Sequence, residues 1–201
     1  MRRIGIMGGT FDPIHIGHLV TAEAARHEFS LQRVFFVPSG NPPHKQSQNV
    51  SKGEHRYLMT LLATAANPAF YLSRAEIDRS GYSYTYDTVR LFLRDYAPCE
   101  LYFITGADAI LDITSWHNYQ QLLQICHFVA ATRPGFRLEQ HLNRQSFTAE
   151  QLAHIHYIEI PSLAISSTDI RRRVREGRPI SYLVPEGVEH YIHKHRLYID
   201  S

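Results

Sequence analysis

Short apolar segments alternate with amphipathic segments along almost the whole of the 201-residue chain. The apolar segments are rich in Ile, Val, Phe and Tyr and are bounded by Gly, Pro or Ser, which is typical of β-strands. They are Arg3–Met7, Arg33–Val37, Phe70–Ser73, Leu101–Thr105, Phe128–Thr132 and His156–Ile160. Segments with helical periodicity separate or follow them: His18–Phe29, Glu54–Ala66, Tyr86–Tyr96, Tyr119–Gln124, Ala149–His154, Ser167–Glu176 and Pro185–His195.

This alternation constrains the fold, because a helix between two strands lets the strands pair in parallel through a crossover. Repeated along the chain, it predicts an α/β fold with a doubly wound parallel sheet of about six strands and helices on both faces. We expect the C-terminal helices to complete a single domain over residues 1–201, since this length suits one substantial core. Ligands of such sheets bind at the carboxyl ends of the strands, near the point where the strand order reverses.

Composition and charge narrow the classes of function. A net charge of +2 without a basic stripe does not favour a nucleic-acid binder. The cysteines, Cys99 and Cys126, lack the spacing of a metal site or a redox motif. No apolar run approaches the roughly 20 residues of a membrane-spanning helix, and the chain opens directly into a strand pattern. We expect a cytoplasmic protein that acts on small molecules, with neither nucleic acid nor membrane as a partner, and leave open a homo-oligomer.

The first strand candidate is followed by Gly8-Gly9-Thr10-Phe11-Asp12-Pro13-Ile14-His15-Ile16-Gly17-His18. Consecutive glycines after a strand let the backbone approach a phosphate closely. The string is not the dinucleotide fingerprint Gly-x-Gly-x-x-Gly, and it lacks the Lys and Ser or Thr of a P-loop. Its His-x-Gly-His instead places His15 and His18 beside the positive end of a helix dipole. This arrangement predicts a phosphate site.

Hydroxyl residues open the helix that follows the last strand candidate, in Ile165-Ser166-Ser167-Thr168-Asp169-Ile170-Arg171. Ser and Thr are strong N-cap residues, and hydroxyls and free amides at a helix N-terminus suit an anion. Arg171 follows one turn into the helix. The next arginines, Arg172, Arg173 and Arg175, fit a solvated basic face.

The two strings, at opposite ends of the chain, resemble the signatures of the His-x-Gly-His nucleotidyltransferase superfamily. The resemblance implies a Rossmann-like fold and transfer of a nucleotidyl group from a nucleoside triphosphate. It also implies that Thr10, His15 and His18 face the triphosphate, with His18 stabilising charge on the α-phosphate and the leaving pyrophosphate. The residues predicted to bind ATP are Gly8, Gly9, Thr10, Phe11, His15, His18, Gly106, Asp108, Arg133, Ile165, Ser166, Ser167, Thr168 and Arg171.

Further segments resemble the nicotinate-nucleotide adenylyltransferases: Pro42-Pro43-His44-Lys45, Ser83-Tyr84-Thr85, and Gly106-Ala107-Asp108 with Trp116 after it. The resemblance implies that the His and Lys reach phosphates and that the amides of Tyr84 and Thr85 bind a nicotinate carboxylate. It further implies that Gly-Ala-Asp helps to hold the adenylate and that Trp116 stacks on the pyridine ring. The residues predicted to bind nicotinic acid mononucleotide are Gly9, Ser39, His44, Lys45, Ser83, Tyr84, Thr85 and Trp116.

The predicted reaction transfers AMP from ATP to the phosphate of this mononucleotide. A phosphate monoester is largely a dianion at neutral pH, since its second pKa is about 6, so it needs no general base. Catalysis then depends on positioning and on charge stabilisation, for which His15, His18 and Lys45 are the candidates. Mg²⁺ is expected to arrive with ATP and to be held mainly by substrate oxygens, so we expect no metal site made by the protein.

Other functions compete with this prediction. One alternative keeps the superfamily and changes the acceptor, which would then be nicotinamide mononucleotide or pantetheine phosphate. A class I aminoacyl-tRNA synthetase also has a His-x-Gly-His element, but it needs a lysine-rich signature and a tRNA-binding domain. A non-catalytic nucleotide sensor is the alternative from another class, and the presence of His15, His18, Lys45 and Arg171 argues against it. The histidines His190, His193 and His195 have unhelpful spacing for a metal and fit a solvated helix face.

Overall fold

A computed structural model describes residues 1–42, 50–135 and 146–199, and a parallel sheet lies at its centre. The strands are β1 Arg2–Gly9, β2 Arg33–Pro38, β3 Phe70–Leu72, β4 Cys99–Gly106, β5 His127–Thr132 and β6 Ile155–Glu159. The helices are α1 Ile16–Glu28, α2 Gly53–Thr64, α3 Thr85–Tyr96, α4 Ala107–Leu111, α5 Tyr119–Ile125, α6 Ala149–Ala153, α7 Ser167–Arg175 and α8 Glu186–Lys194.

The six strands lie in the order β3-β2-β1-β4-β5-β6, and each neighbouring pair is parallel. The chain builds outward from β1 to β3 and then returns to place β4 on the other side of β1. The strand order therefore reverses between β1 and β4, which is where sheets of this kind bind ligands. The predicted doubly wound parallel sheet is confirmed.

Both faces of the sheet are covered by helices. Successive strand residues point to opposite faces, so that Val34 of β2 packs in one hydrophobic cluster and Phe35 in the other. The first cluster includes residues of α1, α2, α7 and α8, namely Ala22, Met59, Ile170 and Ile192. The second includes residues of α3, α4 and α5, namely Val89, Ile110 and Leu122. Full burial of a large apolar side chain contributes about 1.5–3 kcal/mol, so both layers stabilise the sheet.

The helix α4 and the short 3-10 turn Ile113–Ser115 were not predicted. Both lie between β4 and α5, where the sequence prediction had only the segment Gly106-Ala107-Asp108. Elements this short do not complete the repeats by which a helix is identified in a sequence. Burial of Ala107, Ile110 and Ile113 holds them against the sheet.

The helix α1 begins at Ile16, whereas the sequence pattern predicted a start at His18. His15 is therefore the N-cap residue, and both histidines belong to the helix N-terminus. The predicted C-terminal helices are present as α7 and α8. Within the described ranges, none of the helices has the length and apolar character needed to cross a membrane.

Candidate active site

The carboxyl end of β1 leads into a tightly packed loop, residues 8–12, which we call the phosphate loop. A Cβ atom at Gly8 would lie 2.7 Å from the Phe103 ring, and one at Gly9 would lie 2.8 Å from the Phe11 ring. Real Cβ atoms do not make such short contacts. Packing against aromatic rings thus requires glycine at both positions, in addition to the predicted approach of a phosphate.

The rings of His15 and His18 stack at the N-terminus of α1, with centroids 3.7 Å apart and planes inclined by 27°. The backbone N–H of His15 donates to Nδ1 of His18 at 3.1 Å. Because Nδ1 is an acceptor, the neutral His18 ring carries its proton on Nε2. Phe11, which was predicted to bind ATP, is buried and packs edge-on against His18 with a centroid distance of 5.1 Å.

A cavity of about 520 Å³ lies over the carboxyl ends of β1, β4 and β5, and we call it the β5-side cavity. Its lining includes the following residues predicted to bind ATP: His15, His18, Gly106, Asp108, Arg133 and Ile165. These residues come from distant parts of the sequence and meet because parallel strands end at the same edge of the sheet.

A second cavity, of about 640 Å³, lies over the carboxyl ends of β1 and β4 toward β2, and we call it the β2-side cavity. Its lining includes Gly8, Gly9 and Thr10 of the phosphate loop, and Ser39, Ser83, Tyr84, Thr85 and Trp116. All of the described residues predicted to bind the mononucleotide are in this group. The phosphate loop thus lines the β2-side cavity, and His15 and His18, which follow it in the sequence, line the β5-side cavity.

Each cavity is lined by a buried residue with an unpaired polar atom. Within the part of the chain that the structure describes, Nδ1 of His15 and Oγ of Ser39 have no hydrogen-bond partner. Both residues are only 8% exposed. Buried polar groups are nearly always paired in folded proteins, so such atoms at a cavity wall indicate positions for a ligand. Burial also lowers the pKa of His15 to about 4, which keeps its ring neutral at neutral pH.

The helix α3 begins at the β2-side cavity, with Tyr84 as its N-cap residue and Thr85 as its first residue. Amides in the first turn of a helix have no acceptor within the helix. The Ser83 hydroxyl accepts hydrogen bonds from the amides of Gly40 and Asn41, at 3.0 and 3.1 Å. Ser83, predicted as a ligand contact, thus connects α3 to the residues that follow β2.

Trp116 lies in the wall of the β2-side cavity and is half-buried. Its ring packs edge-on against Phe103 and Phe128, with a centroid distance of 6.0 Å in each case. These contacts fix the orientation of the indole. The Tyr84 ring, on the same wall, stacks on His117 at 4.5 Å.

The late motif lies against the phosphate loop, although more than half of the chain separates the two in sequence. Ser167 donates to the carbonyl of Pro13 at 2.8 Å, and Arg171 donates to the carbonyl of Asp12 at 2.7 Å. Ser166 caps α7 by accepting from the amide of Asp169. Among the described residues that line the two cavities, Ile165 is the one member of this motif. Ser167 and Arg171, two polar residues of the motif, hold the end of the phosphate loop in place.

The predicted residues His44 and Lys45 lie outside the described residues. The structure therefore gives no position for the Lys that was predicted to be catalytic. The neighbouring Pro42 is described and lines the β2-side cavity.

Glu76 lines the β2-side cavity and was not predicted. Burial raises the pKa of its carboxyl group, an effect opposed by a hydrogen bond from Thr88 at 2.6 Å. Glu76 follows β3, so inspection of the residues after each strand, as applied to β1 and β4, would have found it. Arg56 was also missed, since its contacts with residues after β1 and β2 have no signal in the sequence.

A metal site made by the protein is not apparent in the described ranges. There, no group of three or more His, Cys, Asp or Glu side chains has a geometry that could hold a metal ion. The donors beside the phosphate loop are imidazoles and backbone amides, which suit phosphate oxygens better than a hard cation such as Mg²⁺.

Comparison with known proteins gives a consistent result. A family model described as cytidylyltransferase-like matches residues 6–173. A Moorella thermoacetica protein named probable nicotinate-nucleotide adenylyltransferase is 62% identical, over 98% of this chain and 91% of that protein. A protein of the same name from a Thermoanaerobacter species is 58% identical, over 98% of this chain and 94% of that protein.

Solved structures with similar folds include Plasmodium falciparum nicotinic acid mononucleotide adenylyltransferase complexed with NaAD, with a TM-score of 0.76. The sequence identity is 21%, and 98% of each chain is covered, so this likeness concerns the fold. Together with the family model and the high identity to named relatives, it confirms the predicted resemblance. The chain belongs to the nicotinate-nucleotide adenylyltransferases of the cytidylyltransferase-like family.

Proposed function

We propose that the chain transfers AMP from ATP to the 5′-phosphate of nicotinic acid mononucleotide. The products are nicotinic acid adenine dinucleotide and pyrophosphate, and the reaction is a step of NAD biosynthesis. The observation that carries this proposal is the pair of cavities on either side of the phosphate loop, each with an unpaired buried polar atom. Two nucleotides bound there would meet at the loop.

ATP occupies the β5-side cavity in this proposal. Asp108 follows β4 and is exposed to the cavity, and a carboxylate at the carboxyl end of a strand suits ribose hydroxyls. Arg133 follows β5 and supplies a cation for phosphate or adenine. The amides of the phosphate loop and the N-terminus of α1 favour the triphosphate, because both present donors and positive charge.

His18 stabilises the α-phosphate and the leaving pyrophosphate. Its Nδ1 accepts from the His15 amide, so the proton of the neutral ring lies on Nε2, the nitrogen that would donate to a phosphate oxygen. This fixed tautomer requires no reorganisation when charge develops. The unpaired Nδ1 of His15 supplies a second polar atom beside the first.

The acceptor occupies the β2-side cavity, with its ring against Trp116 and its carboxylate at the amides of Tyr84 and Thr85. A helix N-terminus favours an anion, and its amides donate only. Ser39, whose hydroxyl is unpaired, and the unplaced His44 and Lys45 are assigned to the phosphate side of this substrate.

Mg²⁺ is proposed to enter with ATP as part of the substrate, since metals of this kind bind phosphate oxygens and keep several waters. The acceptor phosphate is already a dianion near neutral pH, so no residue has to remove a proton from it. The α-phosphorus–oxygen bond to the acceptor forms as the bond to pyrophosphate breaks. The protein contributes position, orientation and charge stabilisation.

A pyrophosphate-release assay with purified protein, ATP and Mg²⁺ tests the proposal. Nicotinic acid mononucleotide, nicotinamide mononucleotide and pantetheine phosphate serve as acceptors in parallel, and a reaction without acceptor is the control. We expect turnover with the first acceptor to exceed that with the others. Higher efficiency with pantetheine phosphate, or turnover that does not depend on acceptor, would exclude the assignment.

A further inference from the structure

Arg56 is one of the largest side chains that the structure buries, with 2% exposure. It belongs to α2 and is not among the described residues that line the β2-side or the β5-side cavity. A guanidinium group taken out of water is unfavourable unless its donors are satisfied. Its position beneath the active site therefore requires an explanation.

The Arg56 guanidinium donates to three backbone carbonyls from separate segments of the chain. The acceptors are Thr10 at 2.8 Å, Ser51 at 2.9 Å and Gly40 at 3.3 Å. Thr10 is in the phosphate loop, Gly40 follows β2, and Ser51 precedes α2. The planar fork of an arginine can hold several acceptors at once, which a lysine ammonium on a flexible stem does less well.

Two of these segments contribute neighbouring residues to the β2-side cavity. Thr10 and Ser39 both line it, and the Ser39 amide donates to the Gly9 carbonyl at 2.9 Å. Gly40 packs closely on the backbone after β3, because a Cβ atom there would lie 2.0 Å from the carbonyl oxygen of Glu76. The pairing of β1 with β2 and the contacts of Arg56 and Glu76 thus together hold the phosphate loop against the residues after β2.

A second buried contact reaches the same loop from the C-terminal part of the chain. The Tyr198 hydroxyl donates to Oδ1 of Asp12 at 2.7 Å, and the Ser51 amide donates to Oδ2 at 3.1 Å. Asp12 and Tyr198 are 4% and 6% exposed. The Asp12 carboxylate therefore connects the phosphate loop to Ser51, one of the residues that Arg56 also contacts.

We propose that Arg56 and Tyr198 are positioning residues for the acceptor: Arg56, through the carbonyls of Thr10, Gly40 and Ser51, and Tyr198, through the Asp12 carboxylate, hold the backbone at the phosphate end of the β2-side cavity. Neither residue touches substrate, and both act through the backbone of the phosphate loop and of residues 39–40. This inference rests on the proposed function, in which the β2-side cavity holds the mononucleotide.

The test compares Arg56→Lys, Arg56→Gln and Tyr198→Phe with matched controls on the surface. The controls are Arg33→Lys, at an exposed arginine, and Tyr182→Phe, at a tyrosine that is 93% exposed. Each protein is examined by circular dichroism and thermal unfolding, so that kinetic constants are taken only from folded variants. Tyr198→Phe keeps the ring and removes only the hydroxyl. It therefore still tests the proposal if the Arg56 variants do not fold.

Acceptor binding is measured separately from turnover. The chain contains one tryptophan, Trp116, which lines the β2-side cavity, so its fluorescence reports binding of nicotinic acid mononucleotide. ATP binding is measured by calorimetry, and kcat and KM are determined for both substrates. An absence of acceptor binding to the wild-type protein would contradict the proposed function, whereas the present inference concerns only differences between variant and wild type.

We expect kcat/KM for the acceptor to fall about tenfold or more in the Arg56 variants, since small misplacements at a reaction centre are costly. Tyr198→Phe should show the same change at about threefold or more. In every variant Kd for ATP should rise by a smaller factor than Kd for the acceptor, because the loop amides are proposed to meet the triphosphate while His15 and His18, which Arg56 and Tyr198 do not contact, line the β5-side cavity. The surface controls should match wild type. A lower Tm with unchanged acceptor constants in the folded variants would overturn the proposal, and so would an equal weakening of both substrates.

Discussion

The His15 amide determines what the His18 ring can do, because it occupies Nδ1 and leaves the proton of the neutral ring on Nε2. Phe11 packs against the same ring, so the imidazole is held by a hydrogen bond and by an aromatic contact. Such a fixed donor stabilises developing charge without having to reorient during the reaction.

The substitution His18→Ala is expected to lower kcat by about 10²–10³ while the protein stays folded, since removal of one preorganised donor has this typical cost. Steady-state kinetics together with circular dichroism measure both effects. His190→Ala is the control, because His190 is exposed on α8. A folded His18→Ala protein with wild-type kcat would refute the role.

We expect kcat/KM for nicotinic acid mononucleotide to exceed that for nicotinamide mononucleotide by about 10²-fold or more. The NH₂ group of nicotinamide would face the backbone amides of Tyr84 and Thr85, which are donors as well, so these groups would lack an acceptor. Leaving a buried polar group without a hydrogen bond costs about 1–3 kcal/mol. Loss of the attraction between a carboxylate and the helix N-terminus adds up to about 2 kcal/mol.

The substitution Trp116→Ala separates ring binding from recognition of the carboxylate. We expect it to raise KM for both mononucleotides and to leave the ratio of their kcat/KM values largely unchanged, since stacking depends on the ring. Parallel kinetics with both acceptors provide the measurement. Equal efficiency of the two acceptors with wild-type protein would contradict the carboxylate site.

The sequence can suggest site residues that belong to a short motif, but not residues whose contacts are tertiary. His15 and His18, suggested by a motif, line the β5-side cavity, and Trp116 lines the β2-side cavity; their roles stay predictions. Arg56 looks like an ordinary helix residue in the sequence, because its acceptors are backbone carbonyls of remote segments. Backbone acceptors carry no residue type that a sequence pattern can report.

At the scale of elements, two helices begin at the carboxyl edge of the sheet, α1 beside the β5-side cavity and α3 beside the β2-side cavity. Each presents first-turn amides and the positive end of its dipole to a cavity that is proposed to bind an anion. Strand–helix alternation was sufficient to predict these elements. It did not predict α4. This helix is too short to show a helical periodicity in the sequence, and burial of Ala107 and Ile110 stabilises it.

A group of histidines on β5, β6 and the residue before β6 lies away from the cavities. His127 Nδ1 is 3.1 Å from His156 Nε2, and the His127 and His154 ring centroids are 4.5 Å apart. The pKa of His127 is lowered to about 4, mainly by burial and also by the neighbouring His154 and His156, while Glu100 opposes the shift. The pKa of His156 is lowered as well, again mainly by burial.

Stability is therefore expected to fall as the pH decreases from about 6.5 toward about 4. Over that range the unfolded chain takes up protons that the folded His127 does not accept, so protons favour unfolding. Tm measured between these pH values should decline, and His127→Gln should reduce the slope. His190→Gln, at an exposed position, is the control. A slope that is the same in wild type and His127→Gln would contradict this account.

At the scale of the whole molecule, the strand order reverses between β1 and β4, and two cavities lie there: the phosphate loop lines one, and His15 and His18 line the other. In the proposed arrangement both substrates are bound at the same time, with the acceptor phosphate next to the α-phosphate. The position of the site was predicted from topology alone, because a parallel sheet has a crevice at the carboxyl ends of its strands where the strand order reverses. The sequence did not predict the division into two cavities, which depends on how the side chains pack.

Because both substrates are present together, we expect a single in-line displacement with inversion at the α-phosphorus. ATP made chiral at that atom by isotopic labelling, followed by analysis of the dinucleotide product, provides the measurement. Incubation with ATP in the absence of acceptor is the control and should yield no AMP–protein adduct. Net retention, or an isolated adduct, would require a covalent intermediate instead.

The contacts that hold the phosphate loop have a consequence for the order in which the protein becomes functional during synthesis. Pro13, Asp12 and its carboxylate contact Ser167, Arg171 and Tyr198, which are 154, 159 and 186 positions away. A ribosome produces the loop early and these contacts late, and closing such long loops is entropically unfavourable until the partners exist. A nascent chain that already contains Gly8 to His18 therefore lacks the contacts that hold its loop. The loop would then take its final position only after the C-terminal contacts have formed.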